Sequence, residues 1–237
     1  MQDFSKNGQE CALSLAGAMK ELDRNRERLE QYALLLSSSN EKARLTGPRE
    51  PGEIMEQHVR DCAFSLAFAP DIGHVVDVGT GGGLPGIVWA VCRPNLRVTL
   101  VESVGRKCSV LEEMVKELSL GNTDVACMRS ETLAMDRRER YGIALSRAVG
   151  HLGVVAEYAS PLVSVGGFAC FFKGPKVEGE LQEIGDQWSS LGFGIPGIHP
   201  YDMDGKKLCI VSLDKIEECP ARFPRNPGRA NKSVWWR

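Results

Sequence analysis

The chain has 237 residues, of which 43% are hydrophobic and 25% are charged, and its formal net charge is −2 at pH 7. This composition suits a globular protein with a substantial core, and it excludes a protein that is basic overall, although a local basic patch is compatible with it. The first ten residues are polar and lack the apolar core of a secretion signal, so we expect a cytoplasmic protein.

The eight cysteines are scattered, and no two of them form a Cys-x-x-Cys pair. A structural zinc site needs such closely spaced ligands, so we expect no metal. Most of the cysteines have apolar neighbours, as small core residues do, and we expect them to be reduced thiols.

The first 70 residues are predicted to form a helical extension. Leucines recur at helical spacing from 15 to 36 with charges between them, which predicts one or two amphipathic helices over 12–36. Serines, glycine and prolines then predict a loop over 37–52, and a further helix is expected over 52–67.

From residue 71 onward, strand and helix patterns alternate. Strands are predicted at 74–78, 96–101, 125–128, 143–146 and 167–172, and helices at 84–92, 107–118, 151–163 and 178–190. Two more strands, near 194–201 and 207–213, form a closing antiparallel hairpin. Such alternation predicts a doubly wound, mostly parallel seven-stranded α/β domain over 71–215, with an N-terminal helical cap and a basic tail over 216–237.

One apolar stretch, from Leu152 to Phe172, is long enough to raise the question of a membrane span. It contains Glu157, Pro161 and the pair Gly166–Gly167, which break it into a helix, a turn and a strand. We therefore predict no membrane contact.

The strongest motif is Asp77-Val-Gly-Thr-Gly-Gly-Gly-Leu-Pro-Gly86, which follows a predicted strand and opens a predicted helix. Its glycines at 79, 81 and 83 permit a tight turn and the close approach of a ligand to the backbone. Glu102 ends the next strand, where a carboxylate can accept hydrogen bonds from both hydroxyls of a ribose.

Three interpretations of this loop compete. Gly81, Gly83 and Gly86 match the dinucleotide pattern G-x-G-x-x-G. Alternatively, Asp77 with the first glycine directly after the strand gives Asp-x-Gly-x-Gly-x-Gly, which is typical of methyltransferases that use S-adenosylmethionine. In the third interpretation, the glycines make only a tight turn. The position of Gly79, together with Glu102 and the closing hairpin, favours the methyltransferase.

Motifs along the whole chain carry a more specific resemblance. They are Leu45-Thr46, His58-x-x-Asp61, Gly79-Thr-Gly-Gly-Gly-Leu-Pro-Gly86, Glu102-Ser-Val-Gly-Arg-Lys107, Arg129-Ser-Glu131, Ser146-Arg-Ala148, Lys173-Gly174 and Phe223-Pro-Arg-Asn-Pro-Gly228. In this order the chain resembles the ribosomal small-subunit methyltransferase G family, also called glucose-inhibited division protein B, from about Gln31 to Asn231. Three positions depart from the family pattern: Arg44 stands for asparagine, Cys62 for serine and Ser130 for alanine.

The resemblance implies an enzyme that methylates N7 of one guanine in 16S ribosomal RNA, with the small ribosomal subunit or its RNA as partner and a monomeric protein. The loop pattern and the resemblance together indicate the cofactor-binding residues Asp77, Gly79, Thr80, Gly81, Gly83, Leu84, Glu102, Ser103, Ser130, Glu131 and Arg147. Arg147 is also implied at the site of methyl transfer. Residues expected to bind RNA are Arg106, Lys107, Lys173, Arg222 and Arg225.

Several of these residues have plainer alternatives. Arg147 follows a strand at the ligand-binding edge, where it could bind phosphate, stack on a base or form a salt bridge. His58 and Asp61 lie one helical turn apart and either brace the cap against the loop or simply pack. The basic side chains at 106, 107, 173, 222 and 225 either contact RNA or are solvated. The chain as a whole is either the enzyme or a non-catalytic RNA-binding assembly factor with the same fold.

Overall fold

A computed structural model describes residues 15–47 and 49–237. Two helices, α1 (Leu15–Arg24) and α2 (Arg26–Ser39), form the first part of the cap, and the residues of the predicted helix before Leu15 lie outside the described residues. A continuous helical segment, α3, then runs over 51–68. It starts as an α-helix at Pro51–Ile54, widens to a π-turn at Met55–Val59, returns to α at Arg60–Ala63 and ends as a 3-10 turn at Phe64–Phe68.

In the part of the chain that the structure describes, seven strands follow the cap. They are β1 (Gly73–Val78), β2 (Leu96–Glu102), β3 (Thr123–Cys127), β4 (Tyr141–Arg147), β5 (Val163–Lys173), β6 (Gly197–Met203) and β7 (Lys206–Asp214). The helices between them are α4 (Gly86–Cys92), α5 (Gly105–Glu117), α6 (Ser130–Asp136), α7 (Leu152–Ala159) and α8 (Val177–Ile184), and a 3-10 turn follows at Gln187–Leu191.

The strands form one sheet in the order β3-β2-β1-β4-β5-β7-β6. All neighbouring strands from β3 to β5 are parallel, whereas β7 runs antiparallel to both β5 and β6. The predicted fold class and the closing hairpin are therefore confirmed. Because β1, β2, β4 and β5 are parallel, their carboxyl ends meet at one edge of the sheet, which is where ligands bind in such folds.

Two apolar cores cover the two faces of the sheet. One contains α4, α5 and the helical cap, with Trp89 and Tyr32 among its fully buried side chains. The other contains α7, the 3-10 turn and part of the segment after β7, with Phe171 and Phe193 at its centre. The cap therefore shares a core with the domain it precedes.

Element boundaries differ from the predictions where local signals are weak. Helix α6 was not predicted: its seven residues are too few to display a helical period, and unlike the equally short α4 it is not opened by the glycine motif. The predicted helix over 151–163 ends at Ala159, and β5 begins at Val163, four residues earlier than expected. The predicted helix over 178–190 ends at Ile184, because Gly185 follows it with a positive φ of 59°.

The apolar stretch from Leu152 to Phe172 forms α7 and most of β5, as the helix, turn and strand interpretation expects. Among the described residues, no helix has both the length and the apolar character needed to cross a membrane.

Candidate active site

Asp77 holds the glycine loop in place through hydrogen bonds to its side chain. Its side chain is fully buried at the end of β1, and Oδ2 accepts hydrogen bonds from Thr80 Oγ1 at 2.6 Å and from Gly86 N at 2.8 Å. Burial raises the pKa of Asp77 to about 6, although both hydrogen bonds oppose that rise. The carboxylate therefore joins the loop to the first turn of α4, and a direct contact of Asp77 or Thr80 with a cofactor stays a prediction.

The backbone of the loop is bent over the ends of the strands. The amides of Gly79 and Thr80 both donate to Val101 O, at 3.0 and 3.1 Å. Gly81 has a φ of 59°, which disfavours other residues, and the nearest atom to a Cβ there would be a backbone oxygen 4.0 Å away. A Cβ at Gly79 would lie only 2.5 Å from Val149. The loop is therefore tight where Gly79 meets Val149, and less crowded at Gly81, where a Cβ would make only ordinary van der Waals contact.

Glu102 ends β2 beside the loop, and its side chain is nearly buried. Oε1 accepts hydrogen bonds from the amides of Ser103 and Val104, at 2.7 and 2.9 Å. Oε2 lies 4.0 Å from Lys107 Nζ. One carboxylate oxygen is thus fixed by the turn, whereas the other accepts from neither of these amides.

Two cavities lie along this edge of the sheet, and Val149 lines both. The first has a volume of about 80 Å³, and its lining includes Gly79, Glu102, Ser130, Glu131 and Tyr158. We call it the loop cavity. The second has a volume of about 330 Å³, and its lining includes Ser146, Gly150, Phe171, Lys173 and Glu180. We call it the strand-end cavity.

Ser130 and Glu131 are buried at the start of α6, on the far wall of the loop cavity. Ser130 Oγ donates to Glu131 Oε2 at 3.2 Å, and Glu131 Oε1 accepts from Gly228 N at 3.0 Å. The segment after β7 therefore reaches back to this wall and helps to fix it.

Arg147, the last residue of β4, reaches the helical cap. Its Nη1 donates to Asp61 Oδ2 at 3.1 Å and lies 3.2 Å from His58 Nδ1. Asp61 Oδ1 in turn accepts from Tyr201 Oη at 2.6 Å. Burial, followed by the charge of Arg147, lowers the pKa of His58, which keeps its ring neutral and able to accept a hydrogen bond. His58 and Asp61 therefore join the cap to Arg147, at the end of β4.

The cap also covers the glycine loop directly. Tyr32 Oη donates to Gly82 O at 2.8 Å, and a Cβ at Gly82 would lie 2.7 Å from Leu36. Trp89 Nε1 donates to Ser65 Oγ at 2.7 Å, which joins α4 to α3. Through these contacts the cap is attached directly to the glycine loop and to α4.

The basic residues that were expected to bind RNA differ in their surroundings. Arg106 and Arg222 are exposed. Lys107 lies near Glu102, and Lys173 is paired with Glu180 at 2.6 Å, with a side chain only 10% exposed. Arg225 donates to both oxygens of the buried Glu157, at 2.6 and 2.5 Å. An RNA contact by Arg225 stays a prediction, but it would compete with this internal pair.

The segment after β7 is packed on α7. Asn231 Nδ2 donates to Tyr158 Oη at 3.0 Å, and Trp235 Nε1 donates to Gly153 O at 2.7 Å. Trp236 stacks on His151 with ring centroids 4.8 Å apart. The predicted basic tail is therefore ordered, and its tryptophans anchor it near the strand-end cavity.

The expectation of reduced thiols is wrong for one pair. Cys108 and Cys127 form a disulfide with Cα atoms 5.6 Å apart. It joins the first turns of α5 to the end of β3, next to the walls of the loop cavity that Glu102 and Ser130 form. Among the described residues, the other cysteines are buried free thiols: Cys62, Cys92, Cys170, Cys209 and Cys219. Cys11 lies outside the described residues.

Sequence reasoning missed several residues of the site. Val149 and Tyr158 are apolar or weakly polar residues that line the loop cavity, and nothing in the motifs indicates them. Glu157 was used only as a break in the apolar stretch, although a lone acid there also indicates a buried charge that needs a partner. Glu180 follows Lys173-Gly174 by six residues on a predicted helix, but its spacing alone does not assign it a role.

Comparison with known proteins decides the family. Residues 25–198 match the family model described as GidB, rRNA small subunit methyltransferase G. The chain belongs to this family. A member from Rubrobacter xylanophilus is 41% identical over 84% of this chain and 80% of its own length. Another GidB protein, from Clostridium perfringens strain SM101, is 36% identical over 85% of this chain and 87% of its own length. Both carry the name ribosomal RNA small subunit methyltransferase G.

Solved structures agree on the fold of this GidB protein. Cofactor-bound Rv0187 from MTB aligns with a TM-score of 0.57 at 16% identity, over 78% of this chain and 88% of that one. A 16S rRNA adenine methyltransferase from Catenulisporales acidiphilia, solved with its cosubstrate SAM, aligns with a TM-score of 0.50 at 14% identity, over 68% and 93% of the two chains. At these identities the likeness concerns the Rossmann-like methyltransferase fold alone.

Proposed function

We propose that this chain transfers the methyl group of S-adenosylmethionine to N7 of a single guanine in 16S ribosomal RNA, within the cytoplasm. The observation that carries the proposal is the pair of adjacent cavities that share Val149. The loop cavity, at about 80 Å³, brings the glycine loop and the Glu102 carboxylate together but holds only part of an adenosine, and the strand-end cavity, at about 330 Å³, has room for a base beside it. Membership of the GidB family supports the same reaction.

The residues of the loop cavity fit the cofactor. Glu102 Oε2 is the oxygen not used by the turn, so it is the proposed acceptor for the ribose hydroxyls. The backbone at Gly81, which is partly exposed and has no side chain, is the proposed place where the methionine end approaches closely. The remaining proposed contacts come from the loop and from the far wall: Gly79, Gly83, Leu84, Ser103, Ser130 and Glu131.

The reaction requires the protein mainly to align guanine N7 with the methyl donor. The cofactor, when bound, supplies an electrophilic methyl group on a sulfonium. Guanine N7 has an in-plane lone pair and no proton, so no side chain has to act as a general base. Correct positioning alone can provide up to about 7–11 kcal/mol of barrier reduction. Arg147, fixed by Asp61, is the proposed residue that orients the RNA at the methyl-transfer site.

The exposed basic side chains are the proposed phosphate contacts. Arg106, at the start of α5, and Arg222, after β7, are both exposed. Lys107, Lys173 and Arg225 are each paired with a carboxylate, at 4.0, 2.6 and 2.5 Å. The positive charge of each of these three side chains is therefore already balanced by a carboxylate. They offer less unpaired charge to an RNA phosphate than Arg106 and Arg222 do.

The test is methyl transfer to purified small ribosomal subunits and to free 16S RNA, with the modified base mapped as N7-methylguanine. A single modified guanine that appears only with the protein and the methyl donor is the expected result. Calorimetry with S-adenosylmethionine separates the alternative, a non-catalytic assembly factor, from the enzyme. RNA binding without cofactor binding or methylation would support the assembly factor and contradict the proposal.

A further inference from the structure

Lys173 and Glu180 form one wall of the strand-end cavity. Lys173 Nζ donates to Glu180 Oε2 at 2.6 Å and to Gly150 O at 2.9 Å. Glu180 Oε2 also accepts from the amide of Leu152 at 2.7 Å, at the start of α7. The pair is therefore held in place from two sides, and its side chains are only 10% and 17% exposed.

Each member of the pair has one hydrogen-bonding position that these contacts do not use. A lysine ammonium has three N–H donors, and the contacts to Glu180 and Gly150 use two of them. A carboxylate has two oxygens, and within the part of the chain that the structure describes, no protein donor contacts Glu180 Oε1. The wall thus offers a donor and an acceptor side by side.

This arrangement matches one base edge. Guanine carries the acceptor O6 next to the donor N1–H, whereas adenine carries a donor amine next to the acceptor N1. In guanine, O6 is also the neighbour of N7, so a base with N7 toward Val149 presents O6 and N1–H farther along the same wall. A phosphate is a poorer ligand here, because Glu180 already neutralises Lys173 and would repel an anion.

We propose that Lys173 and Glu180 determine that the methylated base is guanine: Lys173 Nζ donates to O6, and Glu180 Oε1 accepts from N1–H. This inference rests on the proposed function, because it names the residues that would read the base in that reaction. It changes the interpretation of Lys173 from a phosphate contact to a base contact.

The test uses the 16S RNA substrate with guanine, inosine or 2-aminopurine at the methylated position. Inosine keeps O6 and N1–H, whereas 2-aminopurine lacks both and still has N7. For the wild-type protein, single-turnover rates should be similar for guanine and inosine. The rate for 2-aminopurine should be lower by roughly 5- to 150-fold, the range for a good bidentate base contact.

Lys173→Met and Glu180→Gln should each bring the guanine to 2-aminopurine rate ratio close to one, while the rate for 2-aminopurine changes little. Glu178→Gln, an exposed change on the same helix, should keep the wild-type ratio. Cofactor affinity by calorimetry and the thermal melt check that each variant is folded.

A merely structural role, such as holding the start of α7, would lower the rates for all three bases equally and leave the ratio unchanged. That result in both variants would overturn the inference, even though the enzyme methylates guanine. A wild-type protein that methylates no RNA would instead contradict the proposed function itself, so the two failures are distinguishable.

Discussion

Asp61 and Arg147 are 86 residues apart in the sequence, yet Asp61 Oδ2 lies 3.1 Å from Arg147 Nη1. The first residue belongs to the helical cap and the second ends a central strand. Since Tyr201 Oη donates to the other oxygen of Asp61, three separate parts of the chain meet at this one carboxylate. The orientation of Arg147 is therefore set by residues that no local motif connects to it.

Asp61→Asn should lower the rate of methyl transfer by about 10- to 100-fold, because a hydrogen bond to a charged group contributes roughly 1.5–3 kcal/mol. The amide keeps the shape but loses the charge that holds Arg147. Cofactor affinity should stay the same, because Asp61 does not line the loop cavity. Single-turnover rates and calorimetry measure the two effects. Glu56→Gln, at an exposed position of the same helical segment, is the control; an unchanged rate in Asp61→Asn would contradict this role.

His58 predicts a pH dependence of stability. Its pKa in the folded protein is lowered from 6.5, first by burial and then by Arg147. The unfolded chain therefore binds a proton more readily, so the free energy of unfolding should rise with pH up to about 6.5 and gain nothing more from His58 above it. His58→Gln cannot titrate and should remove this component. Urea unfolding of both proteins between pH 5 and 7.5 tests it, and parallel pH profiles would refute it.

Glu102→Ala should weaken S-adenosylmethionine binding by about 10- to 100-fold, since charge-assisted hydrogen bonds contribute roughly 1.5–3 kcal/mol. The choice of guanine should not change, because the proposed base-reading wall lies in the other cavity. Calorimetry and mapping of the methylated base measure both. Glu112→Ala, an exposed change on α5, should bind the cofactor normally. Normal affinity in Glu102→Ala would place the ribose elsewhere.

Arg225→Ala should destabilise the fold by about 3–5 kcal/mol, because it leaves the buried carboxylate of Glu157 without its partner. Arg222→Ala, three residues away and exposed, should change stability by less than about 0.5 kcal/mol. Chemical unfolding compares the two. Equal stabilities of the two variants would show that the internal pair contributes little.

If Arg222 binds phosphate, its variant should also reduce the salt dependence of RNA affinity by about 0.7–0.9 in slope.

A reducing agent should lower the melting temperature of the wild-type protein. The Cys108–Cys127 disulfide closes a loop within one α/β unit, and removing such a bond from a folded protein commonly costs about 2–4 kcal/mol. The double variant Cys108→Ser, Cys127→Ser should melt at the same temperature with and without the reductant. If the melting temperature of the wild-type protein is the same with and without the reductant, the bond does not contribute to stability.

The sequence was sufficient for the fold and for the position of the glycine loop because both depend on short-range patterns. Alternating strand and helix periods predict a parallel sheet, and the motif from Asp77 to Gly86 has a fixed place within it. Helix α6 was not predicted because seven residues give fewer than two turns of pattern and, in contrast to α4, no motif marks its start.

The partners of charged residues could not be predicted in the same way. Arg147 with Asp61, Arg225 with Glu157 and Lys173 with Glu180 each meet only after the chain has folded. A sequence shows that these residues are charged but not which of them neutralise one another. Residues that appeared to form one basic RNA surface therefore divide into exposed side chains and internal ion pairs.

The hydrogen bond from Tyr32 to Gly82 has a thermodynamic consequence. It couples the first helices to the loop proposed to hold the methionine end, and coupling between two binding sites is reciprocal. A ligand that stabilises the glycine loop therefore stabilises α2 to the extent that this bond couples them, and a contact that stabilises α2 strengthens binding at the loop by the same free energy.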